Sequence, residues 1–577
     1  MTTIYDDPDE FAEDQLAGWL DLYRDRVRCV TGGVVALPVR GADPQVAVVI
    51  GGGSGHYPAF CGTVGQGFAT GAVVGNIFTS PSAAQVYSVA KAADQGRGVV
   101  LSFGNYAGDN MNFGLAAERL REEGIDTRIV VVTDDIASAD EESSRRGIAG
   151  DFPVFKAMGA AAAEGRSLDD VEAAGRAANA ATRTIGVAFS GCTMPGATEP
   201  LFTVPEGHLG LGLGIHGEPG IEDVPMLRAR ELAELLVSRL LADRPQRAGA
   251  RVAPILNGLG DTKYEELFLL WGRIAPLLRD AGLELVQPEV GELVTSLDMG
   301  GCSLTLQWLD DDLESLWRAD AYTPAYRKVA APVEALDPSA RGAADDAGEA
   351  DVAEGAAGST RAAAVARETL AALEAVLRDE EERLGRIDAV AGDGDHGRGM
   401  LKGIHAAKAA ADAVPSHAGV ASVLGSAGRA WAEKAGGTSG VLWGAALESF
   451  GRELGDDAES LGARDLVAAS EAFARAIQKL GGAQLGDKTL LDALLPFLDA
   501  LREGVDGGAG ASEAWAAAAR VAEEAAERTA ALRPRVGRAR PLADKSVGTP
   551  DAGAVSMALA LTAAGRVLAE QHEEEKV

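Results

Sequence analysis

Val46-Ala47-Val48-Val49-Ile50-Gly51-Gly52-Gly53-Ser54-Gly55-His56 runs an apolar, β-branched segment straight into a turn of four glycines, a serine and a histidine. The apolar half has the signature of a buried strand. A strand that empties into a glycine turn is how α/β folds set backbone N–H groups against a polar ligand at the carboxyl edge of a sheet. The spacing fits neither a dinucleotide fingerprint nor a Walker loop, so neither is assigned. The same unit recurs downstream. Gly71 to Pro81 is a second glycine-rich stretch, and Val99–Phe103 runs into Gly104–Asp109. Ile129–Val132 gives a third strand, Phe155–Ala163 a helix, and Val187–Phe189 leads to the loop Gly191–Gly196. A helix is expected from Met226 to Leu241, then two strands within Val252–Trp308 around the helix Tyr264–Ala281. The repetition predicts an α/β domain with a parallel or mixed sheet and flanking helices.

Two residues of this half invite chemistry. Gly207–Gly220 holds six glycines in fourteen residues, with His216 among them. A neutral, uncrowded imidazole nitrogen is a competent nucleophile toward a carbonyl carbon; the plain alternative is a surface turn whose histidine satisfies a hydrogen bond. Asp109 follows a strand as a candidate catalytic carboxylate, or else caps the helix carrying Phe113, Leu115 and Leu120.

From Asp337 to Thr360 the composition turns to Ala, Gly, Asp, Glu and Ser, with Val352 as the only large apolar side chain. Such a segment cannot bury enough area to order itself, and it reads as a flexible acidic linker. Beyond it nearly every segment is alanine-rich and helical in period, including Glu368–Leu384, Gly419–Lys434, Val441–Arg452, Ala463–Leu480, Leu490–Glu503 and Ser512–Leu532. No strand is expected, so the second domain is an all-α bundle.

The chemistry of the second domain sits in its turns. Asp388, Asp393 and Asp395 fall within eight residues around Gly392 and Gly394. Carboxylates this close repel unless a cation lies among them, and hard oxygen ligands favour Mg²⁺ or Ca²⁺. Gly436–Gly440 (GGTSG), Gly486–Thr489 and Gly548–Gly553 open helices with N–H groups and hydroxyls suited to an anion. Metal ligands beside phosphate-cradling turns suggest a nucleoside triphosphate.

Length and charge bound the rest. At 577 residues the chain exceeds one core, and its net charge of −33 argues against a nucleic-acid partner or an anionic membrane surface. Four scattered cysteines (Cys29, Cys61, Cys192, Cys302) make neither a disulfide framework nor a zinc site. The N-terminus lacks a signal pattern and no apolar run approaches transmembrane length, so a cytoplasmic protein is expected.

At this point the motifs GGGSGH (Gly51–His56), NYAGDNMNF (Asn105–Phe113), GLGIHGEPG (Gly212–Gly220), GDGDHG (Gly392–Gly397), GGTSG, GDKTLLDAL and TPDAGA resemble those of single-chain, ATP-dependent dihydroxyacetone kinases and their erythrulose-kinase relatives, in order and over nearly the whole length. The resemblance implies a ketose-binding domain over 1–336, a linker over 337–360 and an ATP-binding helical barrel over 361–577. It implies that His216 holds the ketose C2 as a covalent hemiaminal while His56 and Asp109 handle the proton of the attacking hydroxyl, Asp109 as the favoured base. Gly53, Ser54 and Gly55 join these three in binding substrate. Asp388, Asp393 and Asp395 would hold two Mg²⁺ ions on the ATP phosphates. His396, Gly399, Thr438, Ser439, Gly481, Leu490, Arg538, Asp551 and Gly553 would contact the nucleotide, and a homodimer is implied.

The departures from that family lie at the substrate end. Tyr57 and Phe60 stand where Glu and His are usual, Gly104 replaces a Lys, and Asn76 an Asp. Aromatic walls and the volume opened at Gly104 favour erythrulose over dihydroxyacetone. Two other readings keep the fold: a phosphotransferase-system-dependent phosphotransferase, which in this family uses separate subunits, and a non-catalytic carbonyl-sensing co-regulator, which would be expected to lose His216 or the aspartates.

Overall fold

The computed structural model describes residues 2–218, 220–330, 353–536 and 540–574, and the chain divides into two compact units, Met1–Ala335 and Leu336–Val577. The first unit is built on two mixed sheets. One contains β1 (Val27–Val30), β2 (Gly33–Ala36), β3 (Ala47–Ser54), β4 (Gly71–Ile77), β5 (Val99–Gly104) and β6 (Thr127–Val132), in the order β1-β2-β4-β3-β5-β6. Strands β4, β3, β5 and β6 run parallel, with the β1–β2 hairpin antiparallel at the edge. Val46 to Ile50 is wholly buried, as a strand covered on both faces requires. Each such side chain contributes about 1.5–3 kcal/mol by leaving water.

The second sheet contains β7 (Thr182–Ala188), β8 (His208–Leu211), β9 (Glu222–Pro225), β10 (Arg251–Gly258), β11 (Glu284–Leu285), β12 (Glu289–Gly291) and β13 (Gly301–Trp308). Its order is β11-β10-β13-β7-β8-β9, with β12 also on β10. The expected strand pair around the helix Tyr264–Asp280 is present, and β11 and β12, too short to read from periodicity, join it. The helix expected from Met226 begins at Ala229 instead, because Glu222–Pro225 pairs with β8 as a strand. The two sheets touch where Asp135 bridges Thr184.

Among the described residues the second unit contains helices and no strand. The amphipathic stretch Glu368–Leu384 is split between helices Ala357–Asp379 and Glu381–Asp388, broken at Glu380 within four successive acidic residues, where like charges weaken a continuing turn. The first of these starts inside the segment expected to be linker. Ser359 explains why: it is buried, its hydroxyl donates to Gly455 O and accepts from Val420 N. Residues 337–352 of that segment lie outside the described residues. Helices Val420–Ala435 and Gly437–Leu454 approach so closely that a Cβ on Gly428 would stand 2.5 Å from Gly444 O. Trp431 and Trp443 stack beneath that crossing, ring centroids 5.1 Å apart. The helices enclose an apolar cavity of about 330 Å³, lined by Leu370, Trp443, Phe473, Phe497, Trp515 and Leu561 among others. One helical stretch, Ala552–His572, is by length and composition able to cross a membrane, which corrects the expectation that no apolar run is. Most of its apolar window, 61%, is buried, and Trp515 Nε1 donates to Leu561 O within it.

Candidate active site

Three neighbouring strands of the first sheet deliver their carboxyl ends to one place. Strand β3 ends at Ser54 and turns through Gly55 to His56; β4 ends at Ile77 and Phe78 follows; β5 ends at Gly104 and leads into the helix Ala107–Glu122. The loop after β8, in the second sheet, brings His216. His56 Nε2 and His216 Nε2 stand 3.0 Å apart, so the two imidazoles expected to work together meet directly. The proton positions follow from their other partners. His56 Nδ1 donates to the Thr295 carbonyl at 2.7 Å, which leaves the Nε2 of its neutral ring an acceptor facing His216 Nε2. His216 Nδ1 donates to Glu218 Oε1 at 2.9 Å, and the other oxygen of Glu218 accepts the His216 backbone N–H.

Burial sets the charges. His56 is enclosed, and desolvation, aided by the nearby His216, lowers its pKa to about 3, so it is neutral at ordinary pH. Burial alone would raise the Glu218 carboxyl, but the hydrogen bond and charge of His216 outweigh it and bring it to about 2. Asp109 lies buried in the first turn of its helix; Tyr106 holds the cap position, so the capping role is not the one it takes. Burial raises its pKa against the pull of the Ser80 hydroxyl and His216, and its Oδ1 has no partner in the protein. A buried carboxylate whose pKa is raised in this way is suited to accept a proton.

Two rings that the sequence did not single out wall the histidines. Phe78 stacks on His56 with centroids 5.0 Å apart and meets His216 edge-on at 5.1 Å, while Tyr106 meets His216 edge-on at 4.9 Å. The volume expected at Gly104 is not open: a Cβ there would stand 3.1 Å from Gly147 O and 3.2 Å from Tyr106 Cε2. Tyr57 and Phe60 line a cavity of about 200 Å³ bounded by Gly53–Gly55, Phe11 and Gln15. Phe60 also turns its edge to His56 at 6.3 Å, but neither ring walls His216. Asn76 is exposed.

In the helical unit Asp388, Asp393 and Asp395 each offer an oxygen, the three lying within 4.8 Å of one another. The turn that gathers them is closed by Gly394 N donating to Asp388 Oδ2 at 2.8 Å, with Gly394 at φ +75°. Three hard carboxylate donors at this spacing fit a divalent cation such as Mg²⁺. Next to them His396 Nε2 lies 2.9 Å from Ser556 Oγ, its pKa lowered by burial against the pull of Asp388 and Asp395. Asp551 is pushed to about 7 by burial, with Asp492 and Asp388 adding to it, and its Oδ1 accepts from Ala554 N. Gly553 packs between Asp551 and Leu490, and Gly399 faces the Ala435 carbonyl just before the turn that carries Thr438 and Ser439. Gly481 ends its helix beside Leu442. Arg538 lies outside the described residues.

The arrangement places two groups in one chain: paired imidazoles with a buried carboxylate on an α/β unit, and clustered carboxylate oxygens that could hold a cation among helix N-termini. The comparisons with known proteins agree with that division. A Dak1 domain matches residues 17–325 and a DAK2 domain residues 390–566. The chain belongs to the single-chain dihydroxyacetone kinase family, with both domains in one polypeptide. It is 58% identical to a D-erythrulose kinase of Mycolicibacterium smegmatis, over 97% of each chain. It is 53% identical to an L-erythrulose 1-kinase of the same organism, over 98% of this chain and all of the relative. Among solved structures it resembles the dihydroxyacetone kinase from C. freundii in complex with AMP-PNP and Mg²⁺, with 29% identity, a TM-score of 0.59 and 99% of each chain covered.

Proposed function

We propose that this protein is an ATP- and Mg²⁺-dependent kinase of a short-chain ketose, with erythrulose favoured over dihydroxyacetone. On this reading residues 1–336 hold the ketose and 361–577 the nucleotide. The observation that carries it is the His56–His216 contact, anchored by Thr295 on one side and Glu218 on the other. The preference for erythrulose rests on the two similar erythrulose kinases.

The geometry supports covalent capture. His216 Nδ1 donates to the ionised Glu218, which leaves the Nε2 lone pair of the neutral ring as the nucleophile. That lone pair adds to the C2 carbonyl carbon. The carbonyl π pair moves to oxygen, which takes up a proton from solvent. His216 Nδ1 keeps its proton on the ionised Glu218, which offsets the positive charge of the alkylated ring. A polyol offers no carbonyl and is not captured. Asp109, with one oxygen unpartnered, receives the proton of the terminal hydroxyl as that oxygen attacks the γ-phosphorus and ADP leaves. Asp388, Asp393 and Asp395 would hold the cation, two ions on this reading, which neutralises charge on the transferring phosphates. His396, Gly399, Thr438, Ser439, Gly481, Leu490, Asp551, Gly553 and, on the family resemblance, Arg538 bind the rest of the nucleotide. The co-regulator alternative would dispense with some of these groups, and the chain retains His56, Asp109, His216 and all three aspartates.

The test is ADP release by the purified chain with Mg-ATP and D-erythrulose, L-erythrulose or dihydroxyacetone in turn. A higher kcat/KM for one erythrulose enantiomer than for dihydroxyacetone is expected. Clear preference for dihydroxyacetone would overturn the erythrulose assignment, and no ketose-dependent ADP release would overturn the kinase reading.

A further inference from the structure

Lys488 stands in the turn Gly486–Thr489 at φ +62°, a left-handed backbone that glycine or asparagine adopts more readily. A lysine in a glycine-bounded turn ahead of a helix invites an anion, yet this one is only 4% exposed. Its Nζ donates to Ser546 O at 2.7 Å and to Leu532 O at 3.2 Å, which uses two of its three N–H groups. Ser546 closes the short helix Ala543–Ser546, and Leu532 follows the 3₁₀ turn Thr529–Ala531. The same two segments hold the turn Gly548–Gly553. Gly548 N donates to Ala530 O at 2.8 Å, Thr549 N to Ser546 O at 3.2 Å, and Asp551 N to Thr529 Oγ1 at 2.8 Å. The turn that carries Lys488 is fixed in its own right by Asp492, whose two oxygens accept from Gly486 N at 2.5 Å and Thr489 N at 2.7 Å. The two turns also meet directly: a Cβ on Gly553 would stand 3.4 Å from Leu490 Cβ.

We infer that Lys488 is a positioning residue that braces the turn Gly486–Thr489 against the turn Gly548–Gly553, and so sets the affinity for Mg-nucleotide without touching a phosphate. This rests on the nucleotide role proposed above for Leu490, Asp551 and Gly553, which these two turns hold in place. An ammonium suits the task because hydrogen bonds from a charged donor are stronger than neutral ones, and one Nζ can serve two carbonyls at once. A lysine that bound phosphate would keep Nζ at the surface. Here Nζ is committed to main-chain oxygens, and the residue occupies a left-handed position where a long side chain brings no local advantage. The side chain therefore acts on the nucleotide through the backbone that it ties together.

The experiment is calorimetric titration of the full-length chain with Mg-ATP and with Mg-ADP, alongside steady-state kinetics. Lys488→Met, similar in length and without a donor, should weaken both nucleotides by about tenfold and to the same extent. KM for ATP should rise, while kcat and KM for ketose stay near wild type. Lys488→Arg, which keeps a charged donor, should restore most of the affinity. Hydrogen exchange in the methionine variant should quicken at the amides of Gly548 and Asp551 and remain unchanged in the first unit. If the methionine variant does not fold, Lys488→Asn replaces it; asparagine suits the left-handed backbone and is too short to reach either carbonyl, and the same equal loss is expected. A folded variant with wild-type affinity for both nucleotides overturns the brace. A loss confined to Mg-ATP overturns it as well, since that marks direct contact with the γ-phosphate. Failure of the wild type to bind either nucleotide instead overturns the nucleotide reading beneath it.

Discussion

At the scale of single residues the imidazole pair decides most. His216→Ala should remove the sugar adduct and lower ketose turnover by roughly three orders of magnitude or more, since the proposed covalent step has no substitute nucleophile. Binding of Mg-ATP should be unchanged, as measured by calorimetry; an adduct surviving in the variant would remove the covalent role. The same pair gives a pH signature. His56 in the folded chain titrates near 3 instead of about 6.5, so the unfolded chain binds the extra proton between those values. Stability from this group is complete above pH ~6.5 and declines as pH falls, by at most about 1.4 kcal/mol per unit. Glu218 acts in the same direction lower down: its stabilisation is present above ~4.3 and is lost as pH falls toward 2. Urea unfolding of the first unit should show this slope between pH 6.5 and 4, and His56→Asn should flatten it. An unchanged slope in that variant would mean that His56 is not held neutral by burial.

At the scale of elements the aspartate turn between helices Glu381–Asp388 and His396–Ala413 is the proposed unit of metal chemistry. Replacing Asp393 or Asp395 by Asn should lower turnover by about 10²–10³-fold, because a carboxylate ligand is lost where phosphate charge must be neutralised. The metal-free variant should be as stable as wild type or slightly more so, since one like charge leaves a crowded turn. Thermal melts with and without Mg-ATP separate the two effects: equal ligand-induced stabilisation in variant and wild type would refute the metal assignment. A second element-level device is the helix crossing at Gly428. Gly428→Ala places a methyl group against Gly444 O, and should cost about 1–3 kcal/mol through forced separation of two helices. A melting temperature within a degree of wild type would show that the crossing relaxes freely.

At the scale of the molecule the prediction concerns assembly. The family resemblance implies a homodimer, and the helix Tyr264–Asp280 leaves Tyr264, Phe268 and Leu269 exposed on the first unit. Light scattering at micromolar concentration should therefore give twice the 59.3 kDa of one chain. A mass of one chain across that range would set the homodimer aside.

Local pattern carried much of this protein. Continuous β-branched runs ending in glycine turns can be little else than buried strands, and alanine-rich helical periods without a β-branched run exclude a sheet, so an α/β unit followed by a helical one was legible. The motifs likewise marked His56, Asp109, His216 and the three aspartates, because reactive side chains in glycine-bounded turns stand out in one dimension. What the chain could not show is contact between distant segments. That Thr295, on the approach to β13, fixes the tautomer of His56, and that Phe78 and Tyr106 wall the imidazoles, depends on strands far apart in sequence lying side by side. The fate of Gly104 makes the point most sharply: read alone, a missing side chain means open space, yet Gly147 and Tyr106 already fill it. Sequence specified which groups are present and which turns present them; only the meeting of two sheets decided which neighbours they have, because burial, proton sharing and steric exclusion are properties of pairs of segments and not of either one.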